Sequence, residues 1–373
     1  GLVFMYDTGN RKSYVGEPTV NLITNSGTSN TGWVGYGWTG SQAISNDYSN
    51  TYEFTATNGW HNRTFDTGVT SGGTIYVTFE YKLKQQQTTQ NQLFVLNGTS
   101  LGSYTNWLGS GSMSFEWQTF SGSFTANANS SKIAIGPRGT DSSGLTDIVY
   151  IRNLQVEQKS HATPFVNGTR SATQGLIDRT NNTTIDISNA SFDSNAQMVF
   201  DGTDDYINVD HESSFDTNVF TIEAWFKSTA DDNTHDSIVT RNGDVYSSTN
   251  GWSLGKLRNG LGSTPNALRW IVWGTSAYTD LLGDSTTTGN WIHAVGVSDG
   301  ATLYLYQNGV LKTSSSKPTG NIYPASYGLK VGANKSGSDV WNGDIAAVKM
   351  YNQALTSAEV LQNFNATKSR FGL

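Results

Sequence analysis

The chain has 373 residues with 11 Trp, 17 Tyr and 16 Phe, against only 14% charged residues, so it carries too much apolar surface for a disordered polymer. A net charge of −7, with no basic cluster longer than Arg11-Lys12, excludes a nucleic-acid groove, and no run approaches 18 apolar residues, which excludes a membrane-inserted helix. Without cysteine there is neither a disulfide framework nor a thiolate metal site, a composition suited to assembly in a reducing cytoplasm.

The opening GLVFMYDTGNRKSY lacks the basic-then-apolar pattern of a secretory signal. Strand-length pieces of alternating apolar and polar residues follow: TYEFTA from Thr51, TIYVTFEYK from Thr74, QLFVL from Gln92, EWQTF from Glu116 and KIAI from Lys132. Turn signals such as Ser71-Gly72-Gly73, Asn97-Gly98 and Ser110-Gly111 separate them. After IVYIRNLQVE, the polar run KSHATPFVNGTRSATQG reads as a junction.

The second half repeats the pattern. MVFDG and YINV precede the cleanly alternating FTIEAWFK, and RWIVW and WIHAVGV come next. Thr302–Gln307 and Val310–Lys312 flank Asn308-Gly309, the strongest short hairpin signal in the chain. Only the tail reads helical. Thr356-Ser357-Ala358-Glu359 forms a capping box ahead of Val360, Leu361 and Phe364 on one predicted face. The expected fold is all-β, two jelly-roll sandwiches with one short C-terminal helix.

FDGTDDYINV, FTIEAWFK, DGATLYLYQNGVLKTS and WNGDIAAVKMYNQALTSAEVLQNF occur in the order found in laminin-G/concanavalin-A-like domains, which residues 198 to 364 resemble. GLVFMYDTGNRKSY resembles the first strand of the same domain, which implies a sandwich made of residues 1–16 plus 172–373. Residues 17–171 are then an insertion. At NLITN, VTFEYKLK, FEWQTFSGSFTA and IRNLQVEQKSHATPFV it is similar to the galactose-binding-like jelly roll of carbohydrate-binding modules. The end of that insertion and the terminal ALTSAEVLQNFNATKSRFGL resemble structural proteins of tailed-phage virions.

Glycosidases of the glucanase branch carry a Glu-x-Asp-x-Glu strand motif that supplies nucleophile and acid. This chain has eight Glu residues and no such motif, so no enzyme activity is expected, and Glu223 within FTIEAWFK reads as structural. The five His residues lack ligand spacing for zinc. Relatives of the resembled domain hold a structural Ca²⁺ where first and last strands meet, which implies Asp7, Asp201 and Asp344 as ligands here. Asp147 stands at the matching point of the inserted module. Asp201 and Asp205 read equally well as caps of a turn.

Glycan binding needs exposed aromatic rings beside polar groups. Trp33, Tyr36, Trp38, Trp60 and Trp107 lie in Gly/Ser/Asn-rich stretches of the insertion, and Tyr246, Trp252 and Tyr278 in those of the other domain. The resemblance implies a non-catalytic fibre, spike or capsid decoration on a virion surface, assembled in a bacterial cytoplasm. Its expected partners are other virion proteins, further copies of itself and cell-surface glycans. The alternative is an accessory carbohydrate-binding module of a secreted polysaccharide-degrading enzyme.

Overall fold

The computed structural model describes the chain except residues 24–25, 30–32, 38–39, 57–60, 87–91, 101–102, 127–131, 138–146, 192–197, 230–234, 244–249, 258–263 and 287–288. Side chains of 33–37, 40, 56, 61–63, 92, 94, 96–100 and 103–112, all within strands, also lie outside the description. The chain divides into two compact units, one of Gly1–Pro18 with Ser171–Leu373 and one of Thr19–Arg170. Among the described residues no helix is long and apolar enough to cross a membrane.

The chain begins in the first unit with β1 (Leu2–Asp7), then enters the second. There a short ribbon joins β2 (Thr19–Val20) to β13 (Thr169–Arg170). Five strands form one sheet: β4 (Gly40–Ile44), β5 (Thr51–Ala56), β7 (Thr74–Gln85), β10 (Gln118–Thr125) and β12 (Asp147–Glu157), in the order β10-β7-β12-β5-β4. Five more form the other: β3 (Trp33–Gly37), β6 (His61–Asp66), β8 (Gln92–Ser100), β9 (Ser103–Ser112) and β11 (Lys132–Pro137), in the order β3-β6-β11-β8-β9. The alternation in β7 sends Ile75, Val77, Phe79, Tyr81 and Leu83 inward. They join Phe54, Ile133, Ile135, Val149 and Ile151 in one core.

Back in the first unit, α1 (Ala172–Gly175) is a single turn. One seven-stranded sheet holds β14 (Ile185–Asn189), β16 (Tyr206–Val209), β18 (Asp236–Arg241), β19 (Gly251–Lys256), β20 (Ala267–Trp273), β21 (Tyr278–Ser285) and β25 (Leu329–Val331), in the order β14-β16-β25-β18-β19-β20-β21. The other holds β15 (Phe200–Asp201), β17 (Val219–Ser228), β22 (Trp291–Asp299), β23 (Thr302–Gln307), β24 (Val310–Ser316) and β26 (Asn342–Tyr351). Their order is β1-β26-β17-β22-β23-β24, with β15 also paired to β26. In β1, Tyr6 lies opposite Val348 and Asp7 opposite Ala347. All these pairings are antiparallel, so the unit is an all-β sandwich closed by its own first and last strands.

The core between these sheets is centred on Phe220, Trp252 and Trp270, whose ring centroids lie 5.5 to 6.3 Å apart. Trp270 fits because its neighbour across the core is Gly296, where an added Cβ would fall 0.8 Å from the indole. The outer face of the β17-β22-β26 sheet is covered in turn by α2 (Ser357–Thr367). Thr356 and Glu359 close the capping box that starts this helix. Val360 is buried and Phe364 stacks on Trp225 at 5.9 Å. Leu361 is instead exposed, because the helix rests on the sheet through a narrower face than the sequence pattern implies. With both faces covered, β17 is buried almost throughout.

Candidate functional site

At one end of the β1-β26-β17-β22 sheet lies a cavity of about 430 Å³ within the first unit, lined among others by Thr8, Lys227, Trp291, Asp344, Arg370 and Phe371. Strand alternation places three of these side by side. Lys227 is the register partner of Trp291 on one flank and of Asp344 on the other. Its Nζ donates to Asp344 Oδ2 at 2.6 Å and sits 5.1 Å from the Trp291 ring centroid. The C-terminal turn Lys368–Phe371 supplies the remaining wall. Phe371 packs flat on Trp225 at 4.1 Å and against Trp291 at 4.8 Å. Arg370 Nη1 donates to Asp7 Oδ2 at 2.7 Å. Gly9 makes room for that guanidinium, since a Cβ there would lie 2.2 Å from it.

The result is an aromatic wall with two cations and two carboxylates held in place by one another. Such a surface packs the apolar face of a hydroxyl-rich ligand and exchanges hydrogen bonds with its rim. Beneath α2, Glu223 is 1% exposed and lies 2.6 Å from Lys349 Nζ and 3.3 Å from His293 Nε2. Asn363 Nδ2 donates to it at 2.8 Å. Burial alone would push the Glu223 carboxyl up, but His293 and the Lys349 ammonium outweigh it and hold the group at about 2. A carboxylate so enclosed is an anchor for the helix.

The expected site residues fall out as follows. Trp252 is corrected: it is 1% exposed and packed against both Phe220 and Trp270, because its glycine- and serine-rich surroundings form strand β19 and its side chain points into the core. Tyr278 is 62% exposed at the start of edge strand β21. Trp38, Trp60 and Tyr246 lie outside the described residues, as do the side chains of Trp33, Tyr36 and Trp107, whose backbones run in β3 and β9.

The residues expected to hold calcium make other contacts. Asp7 and Asp344 are each engaged by a protein cation, Arg370 and Lys227, which leaves their charge already matched. Among the described residues, the acidic trio with oxygens within 4.8 Å of one another is Asp201, Asp204 and Asp205. That trio caps a turn: Asp205 accepts from the Ser191 and Asp201 amides, and Asp201 from those of Thr203 and Asp204. Asp147 is fully buried at the first position of β12.

Sequence reasoning took Lys227 and Trp291 as ordinary strand residues and passed over Arg370 and Phe371. The available signal was parity: Glu223, Trp225 and Lys227 alternate with the core residues Ile222, Ala224 and Phe226, so they share the outer face.

The sequence profile of the concanavalin A-like lectin/glucanases superfamily, of laminin-G type, matches residues 201–361. No curated protein matches the chain. Among solved structures, the binding domain of Paraclostridial Mosquitocidal Protein 1 aligns with 16% identity and a TM-score of 0.40 over 51% of this chain and 49% of that one. The botulinum neurotoxin serotype D binding domain aligns with 16% identity and a TM-score of 0.40 over 52% and 49%. The botulinum neurotoxin type G receptor-binding domain aligns with 15% identity and a TM-score of 0.38 over 53% and 50%. The chain spans about half the length of each of these structures.

Proposed function

We propose that this chain is a non-catalytic glycan-binding protein of a virion surface, with the cavity around Trp291, Lys227, Asp344 and Arg370 as a sugar site. The observation that carries this reading is that cavity: an aromatic wall beside fixed charged groups, in a unit whose residues 201–361 are similar to concanavalin A-like lectins and glucanases. The absence of a Glu-x-Asp-x-Glu motif and the enclosure of Glu223 support binding without hydrolysis. The likeness of the terminal ALTSAEVLQNFNATKSRFGL to tailed-phage virion proteins supports the particle assignment. Its partners are then neighbouring virion proteins and further copies of itself, because weak sugar sites become effective when several engage together.

A microarray of bacterial surface polysaccharides tests the reading. Wild-type protein binds a subset of glycans, and Trp291→Ala and Arg370→Gln each weaken that binding at least ~10-fold, the loss of one stacking ring or one charged hydrogen bond. Binding unchanged in both variants, or no binding to any glycan, overturns the sugar site. Light scattering on the same preparation gives a multiple of the chain mass; a monomer overturns the oligomer.

A further inference from the structure

The second unit carries a separate cluster on the solvent face of its β10-β7-β12-β5-β4 sheet. While Phe79, Tyr81 and Leu83 point into the core, Glu80, Lys82 and Lys84 of β7 point outward. Their register partners on β12 extend the row: Tyr150 lies opposite Lys82 and Arg152 opposite Glu80. Tyr48, between β4 and β5, and Trp117, just before β10, close over it edge to face at 5.4 Å.

The cations of this row are held in different ways. Arg152 forks onto Glu80 with bonds of 2.9 and 3.1 Å, and its guanidinium carbon lies 3.8 Å from the Trp117 ring centroid. Lys84 bridges Asp47 at 3.2 Å and Glu53 at 3.0 Å. Each of the three carboxylates is thus engaged by Arg152 or Lys84. Lys82 has no carboxylate within ion-pair distance among the described residues. Its Nζ instead donates to the Tyr48 hydroxyl at 2.8 Å and sits 4.7 and 5.0 Å from the Tyr48 and Trp117 centroids. It is an ammonium propped on an aromatic platform.

We infer that this platform is a second carbohydrate site, selective for acidic sugars: the rings of Tyr48 and Trp117 pack the sugar face and Lys82 pairs with its carboxylate or sulfate. The row around the rings is hydrophilic, including Tyr76 bonded to Ser121. Tyr48 itself is 37% exposed. A net charge of −7 repels polyanions in general, so retention by one reports a local site.

Affinity electrophoresis of the full chain at physiological salt through gels containing polygalacturonate, dextran sulfate or neutral dextran tests this. Polygalacturonate is expected to retard the protein while neutral dextran does not. Lys82→Gln and Trp117→Ala should each weaken retention at least ~10-fold. Both variants are also read in a Trp291→Ala background, in which the cavity of the first unit no longer contributes to retention, so failure here and failure of the first site are read separately. Near-UV circular dichroism checks folding, and Lys82→Gln, at a surface position, covers the case in which Trp117→Ala does not fold. Retardation by dextran sulfate that is lost in the same variants places sulfated sugars in the class. No retardation by either polyanion, or retardation that survives both variants, overturns the site.

Discussion

Glu223 and Lys349 are register partners across β17 and β26, and their side chains meet at 2.6 Å on the sheet face that α2 covers. A carboxylate buried to this extent is tolerable only because Lys349, His293 and Asn363 converge on it. Its folded-state value of about 2 lies below the usual 4.5. A depressed carboxyl stabilises the folded state fully above its unfolded value, and the contribution is lost as pH falls toward the folded one. Stability should therefore drop between pH 4.5 and about 2, by on the order of 3 kcal/mol from this group alone. Urea unfolding at pH 7, 4 and 3 reads this. Glu223→Gln should be less stable at pH 7 and show a flatter acid slope; parallel slopes for the two proteins would refute the assignment.

Gly296 sets the strictest packing constraint in the first unit. It lies in β22, and a methyl group there would coincide with the six-membered ring of Trp270. Trp270 cannot retreat, because Trp252 and Phe220 stack beside it. Gly296→Ala should cost more than about 3 kcal/mol, at or above the upper end of overpacking effects. The double variant Gly296→Ala with Trp270→Leu should recover part of the loss. Chemical denaturation of wild type and both variants is the measurement. A single variant as stable as wild type would show that the core relaxes freely here.

Much of this architecture was written in local pattern. Alternation gave β7, β17 and β22 their faces, and Asn308 and Gly309, with φ of 52° and 76°, form the tight hairpin that their dipeptide announces. Thr356 and Glu359 cap α2 for the same local reason. Composition misled at Trp252, where glycine and serine neighbours suggested a loop but the strand is packed on both faces. The candidate site was hidden for a different reason. Lys227, Trp291, Asp344 and Arg370 come from distant parts of the chain, and only the pairings of β17 with β22 and β26 bring the first three together. Likewise Lys82 and Tyr48 are ordinary surface residues until β12 and β5 set them on one face.

The interrupted first unit should fold without its insertion. The Val15 and Gly16 amides both donate to the Gly175 carbonyl, at 2.8 and 3.2 Å, and Tyr14 bridges Leu176. The strands on either side of the second unit are thus tied together by the first unit itself. Replacing Thr19–Arg170 with a short Gly/Ser linker between Pro18 and Ser171 should leave a sandwich that unfolds cooperatively, since loop closure over so small a gap costs little. Near-UV dichroism and a single unfolding transition report success. A chain without fixed aromatic signals would mean that the inserted residues are needed to hold β1 in place.

Calcium should contribute little at the meeting point of first and last strands. Of the three carboxylates expected there, Asp7 and Asp344 each already accept from a cation, Arg370 Nη1 at 2.7 Å and Lys227 Nζ at 2.6 Å, and Asp201 accepts from the turn amides of Thr203 and Asp204. A divalent ion entering would have to displace one of these cations, and expelling a held side-chain charge offsets the gain from a new one. Thermal unfolding with excess EDTA and with millimolar Ca²⁺ should therefore give midpoints within about 1 °C of each other, equivalent to a few tenths of a kcal/mol in a domain of this size. Removing the cations reverses the expectation. With Lys227→Met and Arg370→Met combined, the freed carboxylates should lower the midpoint, and added Ca²⁺ should recover part of the loss if the two side chains swing together. A wild-type midpoint raised several degrees by Ca²⁺ would show that an ion binds despite Lys227 and Arg370, and would remove the charge-matching account of this end of the sheet.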